Sequence, residues 1–332
     1  MRFLTEHDGP AADDRSPLRM AWVGVFAPGV LMVLVLLVAG CTQTEAGGAD
    51  TSAQLDAVPT LTGPASAPAV AGPSGLDNAW ARDAVWNDGQ VEDARYAATR
   101  LIYGAPRTFT ARLFTNAEDY APSTTTKANW RGGGSPLRVF KHHAREDVPT
   151  ENYTYHFSTM AYVGIDGRTP VKVEMGSNED CGATFKSAVV DGSSLRWFQS
   201  SYFPEEGVDG GRVELSAESP VVFHDALTLV LRGFPFEAPA DLQLRVVPEA
   251  TTTKWSPVQP IAATVRLSGK TTLELPIGTV EAYELEVAYE DGRQERYWFH
   301  ADAAKQHVLV AADTLTQRLR LESLRRWAYW AS

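Results

Sequence analysis

The sequence predicts a mainly β protein: a strongly curved antiparallel sheet or partial barrel with one or two short helices. Three observations support this prediction. Apolar and polar residues alternate with period two over many short segments, turn dipeptides such as Asp-Gly separate these segments, and long helical periodicity is nearly absent. A dozen short strands at regular spacing are typical of such a sheet. The β region is preceded by a predicted signal segment and a disordered linker.

The clearest alternation lies at residues 281–290, and Asp291-Gly292 leads into residues 294–300. This pattern predicts a hairpin with a type I′-like turn. Short helices are predicted at 76–87 and at 225–232, the second with Asp225 as its N-cap and Gly233 after its end. The other predicted strands cover residues 92–103, 107–115, 161–165, 170–175, 183–190, 195–202, 242–247, 262–267, 271–277, 307–310 and 315–325.

The first 40 residues predict a lipoprotein signal peptide. Ala21 to Gly40 is apolar and uncharged, and Leu37-Val38-Ala39-Gly40-Cys41 resembles a bacterial lipobox. The alternative is a plain transmembrane anchor, since the stretch is long enough to span a bilayer. We favour the signal peptide, because small residues before a cysteine form a processing site that an anchor does not need. Both interpretations place the folded part outside the cytoplasm.

The resemblance to a lipobox implies that Cys41 carries the lipid, including a fatty acyl group such as palmitate, and anchors the chain to a bilayer. Residue 42 is Thr rather than Asp. By resemblance to Gram-negative sorting, this favours the outer membrane facing the periplasm, if the organism has one. Residues 41–75 are rich in Ala, Gly, Pro, Ser and Thr and predict a flexible linker. The β domain is then 76–332, with a candidate internal seam at 235–240.

Composition excludes some partners. The chain carries a formal net charge of −11. An acidic body does not attract phosphate backbones, so nucleic acid is not an expected partner. The same net charge argues against binding of anionic lipid headgroups through a basic patch.

Cys181 is the second of only two cysteines, so lipidation of Cys41 leaves it without a partner in the chain. As a nucleophile it would need a nearby base, and its flanking carboxylates disfavour the thiolate. We favour a small apolar residue at the start of a strand, with a catalytic or redox role as the alternative.

The sequence contains no metal-binding or nucleotide-binding motif. His142 and His143 are adjacent, so on a strand they would point to opposite faces, and the neighbouring charges indicate a solvated loop or edge. HExxH, CxxC and GxSxG are absent, and Gly269-Lys270-Thr271-Thr272 lacks the first glycine of a P-loop and predicts a turn. We expect no metal and no cofactor.

Aromatic residues are the most distinctive side chains, with a cluster at 197–203 and another at 327–330. Packing in the core and at sheet ends is their commoner role. The alternative is an apolar groove or barrel mouth for a lipid, glycan or peptide. The candidate ligand-binding residues are Trp197, Tyr202, Phe203, Glu205 and Glu206.

A set of short segments lies in order over residues 80–330. They are Trp86, Gly89, Ala94-Arg95-Tyr96, Tyr103-Gly104, Arg107, Glu179-Asp180-Cys181-Gly182, Phe185, Ser201 to Gly207 and Ala328-Tyr329-Trp330. Together they resemble an uncharacterised bacterial lipoprotein family whose members are sometimes labelled septum formation inhibitor Maf. True Maf proteins are cytoplasmic α/β nucleotide pyrophosphatases that open on Ser-x-Ser-Pro-Arg-Arg, a run that this chain lacks, so nucleotide hydrolysis is not expected.

Residues 279–321 alternate between apolar and polar side chains. This segment is similar to exported lipoprotein-carrier-like sheets, and the similarity implies an apolar concave face.

Taken together, these features favour a membrane-anchored envelope lipoprotein without enzymatic activity. It would bind an apolar ligand or an envelope protein, or serve as a structural element. One alternative is a glycan-binding module that uses the same aromatics with Glu205 and Glu206. The other is an envelope enzyme or redox protein that uses Cys181.

Overall fold

The computed structural model describes residues 65–70, 72–128, 135–216 and 220–330. These residues are mainly β, as predicted, and their sixteen strands form one sheet that is not closed into a barrel. The sheet is strongly curved, because the edge strand β10 (Val221–Phe223) approaches β6 (Pro170–Glu179), which lies far away in the strand order.

The first nine strands run as antiparallel neighbours in chain order, except that β3 pairs with β2 at the side of the main path. Long alternating segments with tight turns build them, as the pattern predicts. Their bounds are β1 Val91–Ile102, β2 Ala105–Ala121, β3 Thr126–Lys127, β4 Leu137–Pro149, β5 Thr154–Gly164, β6 Pro170–Glu179, β7 Gly182–Asp191, β8 Ser194–Ser201 and β9 Gly207–Glu214.

The remaining strands extend the sheet from the opposite side of β1, because the last strand pairs with the first. The strand order is therefore β10-β11-β12-β13-β14-β15-β16-β1-β2-β4-β5-β6-β7-β8-β9. Only β10 and β11 pair in parallel. The bounds are β10 Val221–Phe223, β11 Leu242–Val247, β12 Ile261–Leu275, β13 Gly278–Tyr289, β14 Gln294–His300, β15 Leu309–Asp313 and β16 Gln317–Trp327.

Helical turns are short, and two groups of them cover the concave face of the sheet. The first group is the 3₁₀ turns Trp80–Arg82 and Ala84–Asn87. The second is the 3₁₀ turn His224–Ala226, the helix α1 (Leu227–Val230) and the 3₁₀ turn Leu231–Gly233. A further 3₁₀ turn is Ala303–Lys305. No helix in the described part of the chain is long and apolar enough to cross a membrane.

The prediction of Asp225 as a helix N-cap is wrong. The residue before α1 is Ala226, and no side chain caps the helix there. The Asp225 carboxylate instead accepts hydrogen bonds from the main-chain N–H of Ala250 (2.9 Å) and the hydroxyl of Thr251 (2.8 Å). The Asp225 carboxylate therefore binds a loop that is distant in sequence and does not cap the local helix.

Turn chemistry differs from the prediction in detail. Between β13 and β14 only Gly292 has a positive φ (87°), so the turn is not type I′, which needs two such residues. A type I turn followed by a left-handed glycine fits the Tyr289–Arg293 main-chain bond. The two-residue turn with two positive φ angles lies instead at Tyr103 (53°) and Gly104 (73°), between β1 and β2.

Strands β4 and β12 differ from the prediction. Strand β4 contains His142 and His143, so their assignment to a solvated loop or edge is wrong, although they do point to opposite faces. Residues 262–267 and 271–277 are not two strands but one, β12, and Gly269 lies at a register shift rather than in a turn. The bulge explains the break in alternation that the sequence shows there.

Residues 235–240 connect the second helical group to β11, and strands from both sides of this candidate seam join the same sheet. The described end of the predicted linker is packed on the sheet. Ser66 N–H donates to Asp191 Oδ1 (2.8 Å), and Val70 is buried. The signal segment, Cys41 and residues 42–64 lie outside the described residues.

Candidate functional site

One end of the sheet gathers most of the chemically distinctive side chains, and we call it the mouth end. Because neighbouring strands are antiparallel, alternate turns lie at the same end of the sheet. A loop at residues 248–258, which we call the strap, crosses the concave face there. The turns and connections at the mouth end are 103–104, 150–153, 180–181, 202–206, 248–260, 290–293 and 314–316.

Hydrogen bonds from sheet side chains hold the strap, in addition to the packing of Ala250 and Val258 against the core. The Lys186 amine donates to the Lys254 carbonyl (2.5 Å) and to the Ser256 hydroxyl (2.7 Å). Ser201 donates to the Thr253 carbonyl (2.8 Å). These sheet side chains face the concave side, where apolar residues are usual, and they use their polar groups to fix the strap.

An ionic cluster lies where the strap meets the sheet. Arg100 Nε is 3.0 Å from Glu146 Oε2, and Arg100 Nη2 is 3.2 Å from Glu249 Oε1. Burial raises the pKa of the Glu146 carboxyl despite the opposing effect of Arg100. Burial alone would lower the pKa of Arg100, but the carboxylates of Glu146 and Glu249 have the larger effect, so the pKa of Arg100 is raised. The pairing keeps Arg100 charged inside the protein.

His224 and Glu295 form the second part of this cluster. His224 Nε2 is 3.0 Å from both carboxylate oxygens of Glu295, which has no exposed side-chain surface. Tyr289 and Tyr297 also donate to Glu295 (2.8 and 2.7 Å), as does the main-chain N–H of Leu315 (3.2 Å). A carboxylate with this many donors is held as an anion and is poorly placed to act as a base.

The pKa shifts of the pair follow from this geometry. Burial would lower the pKa of His224, but Glu295 outweighs it and raises it to about 9. Burial would raise the pKa of Glu295, but His224 and the two tyrosines lower it to about 2. Both groups are therefore charged over the whole neutral range.

We expect this pair to make stability depend on pH. The His224 contribution is complete below its ordinary pKa of 6.5 and is lost as pH rises through about 9. The Glu295 contribution is complete above its ordinary 4.5 and is lost as pH falls through about 2. The pair therefore stabilises most between these ordinary values, and urea unfolding at stepped pH measures this.

The diagnostic comparison is between the parent protein and His224→Gln. The variant should lose stability near pH 6 and show a smaller decline from there to pH 9. Burial lowers the pKa of Lys186 to about 8, so Lys186 makes the folded protein more stable as the pH rises above that value. This effect is the same in the parent and in the variant. His156→Gln, at an exposed ion pair with Asp147, is the matched control. Parallel pH curves for the parent and His224→Gln would contradict the assignment.

Three cavities beside these groups are small, and a fourth space of about 460 Å³ is an open depression lined by polar and charged residues that include Glu286, Glu295 and Arg318. One of about 50 Å³ touches Glu146, His224 and Glu249, and one of about 160 Å³ is lined by His224, Glu249 and Glu295. A cavity of about 30 Å³ lies under the strap beside Lys186 and Trp197. The smallest has room for about one or two waters. The strap and the helical turns occupy the space that an apolar ligand would need.

The exposed apolar side chains are concentrated at the mouth end, and we call them the apolar rim. Tyr202 is 80% exposed and Tyr103 is 71% exposed, although large apolar side chains usually seek burial. The Tyr103 hydroxyl is 2.6 Å from that of Tyr153 and also bonds that of Tyr155. The members of the apolar rim are Leu101, Tyr103, Tyr202, Val208, Trp255 and Leu315.

The candidate ligand-binding residues do not converge on one pocket. Tyr202 belongs to the apolar rim, and Phe203 is half-buried beside it. Glu205 is exposed with a positive φ of 69° at the turn, and Glu206 accepts a hydrogen bond from the main-chain N–H of Trp255. Trp197 is separated from the others and packs against Gly211 beside the small cavity under the strap.

Cys181 lies exposed in the two-residue turn between β6 and β7, so its expected role as a packed apolar residue is wrong. The neighbour of Cys181 is the Tyr153 hydroxyl. Hydrogen bonds with Tyr103 and Tyr155 raise the pKa of Tyr153 most, and Cys181 adds a smaller increase. The six histidines of the described residues all bond other groups. No group of metal-ligating side chains forms within those residues either.

We expect Cys181 to react with a thiol reagent in the folded protein about as fast as in urea-unfolded protein, because it is exposed. Mass spectrometry of the labelled protein measures the rate, and Cys181→Ala reports any label on Cys41. Labelling that occurs only after unfolding would contradict the exposed placement.

The sequence pattern did not indicate that Arg100, Glu146, Glu249 and Glu295 belong to one cluster. A signal was present for some of them. Glu295 lies on the same inward face of its strand as Tyr297 and Phe299. Arg100 likewise lies on the same inward face of β1 as Tyr96 and Ala98. A charged residue at an inward position indicates a buried ion pair, although not its partner.

Comparison with protein-family models, curated proteins and solved structures yielded no match to this chain. The resemblances to the lipoprotein family and to lipoprotein-carrier-like sheets stay predictions.

Proposed function

We propose that this chain is a membrane-anchored envelope lipoprotein, attached through Cys41, that binds a partner protein through the apolar rim and has no enzymatic activity. The apolar rim is the observation that carries the proposal. Exposed apolar and aromatic side chains gathered at one end of a sheet are a feature of interaction surfaces. Tyr and Trp are also the residues most enriched at the centres of protein interfaces.

The filled concave face supports a surface interaction over an enclosed apolar ligand. Pockets for small molecules usually have volumes of about 300–1,000 Å³. The cavities under the strap and in the ionic cluster are about 30, 50 and 160 Å³. An open depression of about 460 Å³ beside Glu295 is lined by polar and charged side chains, which do not suit an apolar ligand. An apolar ligand would first have to displace the strap and its hydrogen bonds.

The environment of the reactive groups supports a binding protein over an enzyme. Glu295 already receives hydrogen bonds from His224, Tyr289, Tyr297 and the Leu315 N–H. A catalytic Cys181 would need a base within hydrogen-bond reach, and its neighbour is the Tyr153 hydroxyl.

The test is site-specific photo-crosslinking in intact cells. A diazirine amino acid replaces Tyr202 or Trp255 in the full chain, and the control position is Ile277, which is 41% exposed at the opposite end of the sheet. We expect a discrete protein adduct from positions 202 and 255 and none from 277. A Tyr202→Ser change should weaken the adduct from position 255, because Glu206 of the same turn bonds the Trp255 N–H.

Other outcomes decide between the alternatives. No adduct at either rim position, or the same adduct at 277, would contradict binding through the apolar rim. An adduct that resists protease but is removed by glycan-degrading enzymes would show that the partner is a glycan and not a protein. The exposed aromatics Tyr202 and Trp255 also favour this alternative.

A further inference from the structure

An unusual row of like charges lies on the convex face of the sheet. The register places Arg95 of β1 directly opposite Arg112 of β2, and Arg112 directly opposite Arg145 of β4. Directly opposed like charges destabilise a sheet. Three arginines in one row therefore work against stability unless anions, inside or outside the protein, compensate them.

Strand β16 adds three more arginines beside this row. Arg325 pairs with Asp93 in the register, and Arg320 and Arg318 lie opposite Ala97 and Thr99. We call the whole set the arginine patch, and it lies in a chain whose net charge is −11. Its members are Arg95, Arg112, Arg145, Arg318, Arg320 and Arg325.

Internal carboxylates neutralise only part of the arginine patch. Asp93 is buried and binds Arg112 (2.7 Å) and Arg325 (2.9 Å). Asp313 binds Arg320 (2.7 Å), and Asp147 lies 3.4 Å from Arg145.

Arg95 and Arg318 are exposed and form no ion pair within the described residues. Glu322 is exposed at the bulge beside Ser323. The six arginines exceed Asp93, Asp147, Asp313 and Glu322 by two positive charges. Glu286 and Arg296, which line a depression with Arg318, offset one another.

His143 reports the positive field of this face. It lies in β4 next to Arg145, and Phe114 stacks against it at 6.3 Å between ring centroids. Burial and, to a smaller extent, Lys141, Arg145 and Arg112 together lower the pKa of His143 to about 4. A field that disfavours another cation favours an anion at the same surface.

Exposed aromatics flank the arginine patch. Tyr329 packs on Phe114 (5.9 Å) and Trp330 packs on Tyr329 (4.8 Å), and both side chains are about half exposed. Tyr and Trp prefer the interface between headgroups and hydrocarbon. Arginine beside exposed Trp and Tyr is the combination expected where a protein lies on an anionic bilayer.

We propose that the arginine patch binds anionic phospholipid headgroups, with Tyr329 and Trp330 entering the bilayer interface. Arg95 and Arg318 supply the unpaired positive charge for the phosphates. This contact is separate from the lipid anchor and from the apolar rim, and it revises the expectation from net charge, because the distribution of charge decides the local field.

The experiment measures quenching of Trp330 by a spin label on lipid headgroups. The full chain is mixed with phosphatidylcholine vesicles with or without phosphatidylglycerol, and the Trp330 signal is the difference between the parent and Trp330→Phe. Any insertion of the N-terminal segment is common to every sample. We expect Trp330 quenching to be about twofold or more greater on the anionic vesicles.

Matched variants make the test specific. Arg95→Gln with Arg318→Gln should return Trp330 quenching to its level on neutral vesicles. Arg266→Gln with Arg293→Gln changes the net charge equally at arginines paired with Asp241 and Asp291, and should leave it unchanged. Equal quenching on both vesicle types, or equal loss in both double variants, would overturn the proposal.

Discussion

Replacing Arg232 with methionine should lower the free energy of unfolding by about 3–5 kcal/mol. Arg232 makes a bidentate ion pair with Glu92, with Nη2–Oε1 and Nη1–Oε2 distances of 2.6 and 3.1 Å. Only 2% of the Arg232 side chain and 6% of the Glu92 side chain are exposed. Methionine fills the volume but leaves the Glu92 carboxylate buried without its counterion, and that desolvation dominates the loss.

Urea unfolding of three variants tests this prediction. Arg266→Met, which breaks an exposed pair with Asp241, should cost less than about 1 kcal/mol. Adding Glu92→Leu to Arg232→Met should recover much of the loss, because no uncompensated charge then remains. A loss for Arg232→Met no larger than that of the exposed control would contradict the account.

The second large effect is expected at Trp80, where alanine should cost about 3–5 kcal/mol. Trp80 is 6% exposed and stacks on Phe140 at 5.1 Å, with Trp86 edge-on at 6.0 Å. The 3₁₀ turn that carries it therefore fills the concave face rather than lying on the surface. Truncation removes this contact area and leaves a cavity against Gly167, which Trp80 closely approaches.

The matched control is Trp255→Ala, since Trp255 is half exposed on the apolar rim. It should change stability by less than about 0.5 kcal/mol. Thermal and urea unfolding of both variants should separate them clearly. Similar losses for Trp80→Ala and Trp255→Ala would mean that the N-terminal turns do not fill the core. Because Arg232 lies 5.6 Å from the Trp80 ring, combined variants should be non-additive.

The fold class and many strands could be predicted because each depends on local pattern. Strand β14 matches residues 294–300, and β11 matches 242–247, since alternation and flanking turn residues act within a few residues. Strand β4 was not predicted because its sequence is rich in charged and histidine residues, which obscure the alternation. Its inward-facing residues include Phe140, His142 and Val148.

The site could be predicted only in part because it is assembled from distant segments. His224 lies 71 residues from Glu295 in the chain, and Arg100 lies 149 residues from Glu249. Local periodicity cannot indicate such pairings. The strap shows the same limit, because the acceptor expected to cap a local helix, Asp225, holds the strap instead. Tyr202 and Phe203 could be selected as candidates from the sequence, because an aromatic cluster is a local property.

The measurement that tests the central claim most directly is native mass spectrometry of the full chain purified from membranes. The central claim is that the protein's own residues fill the concave face and that a partner protein binds outside it, at the apolar rim. The native mass should therefore equal the denatured mass of the processed and acylated chain. A stoichiometric apolar molecule that is retained in the native protein and released on denaturation would show that the sheet interior is a ligand site.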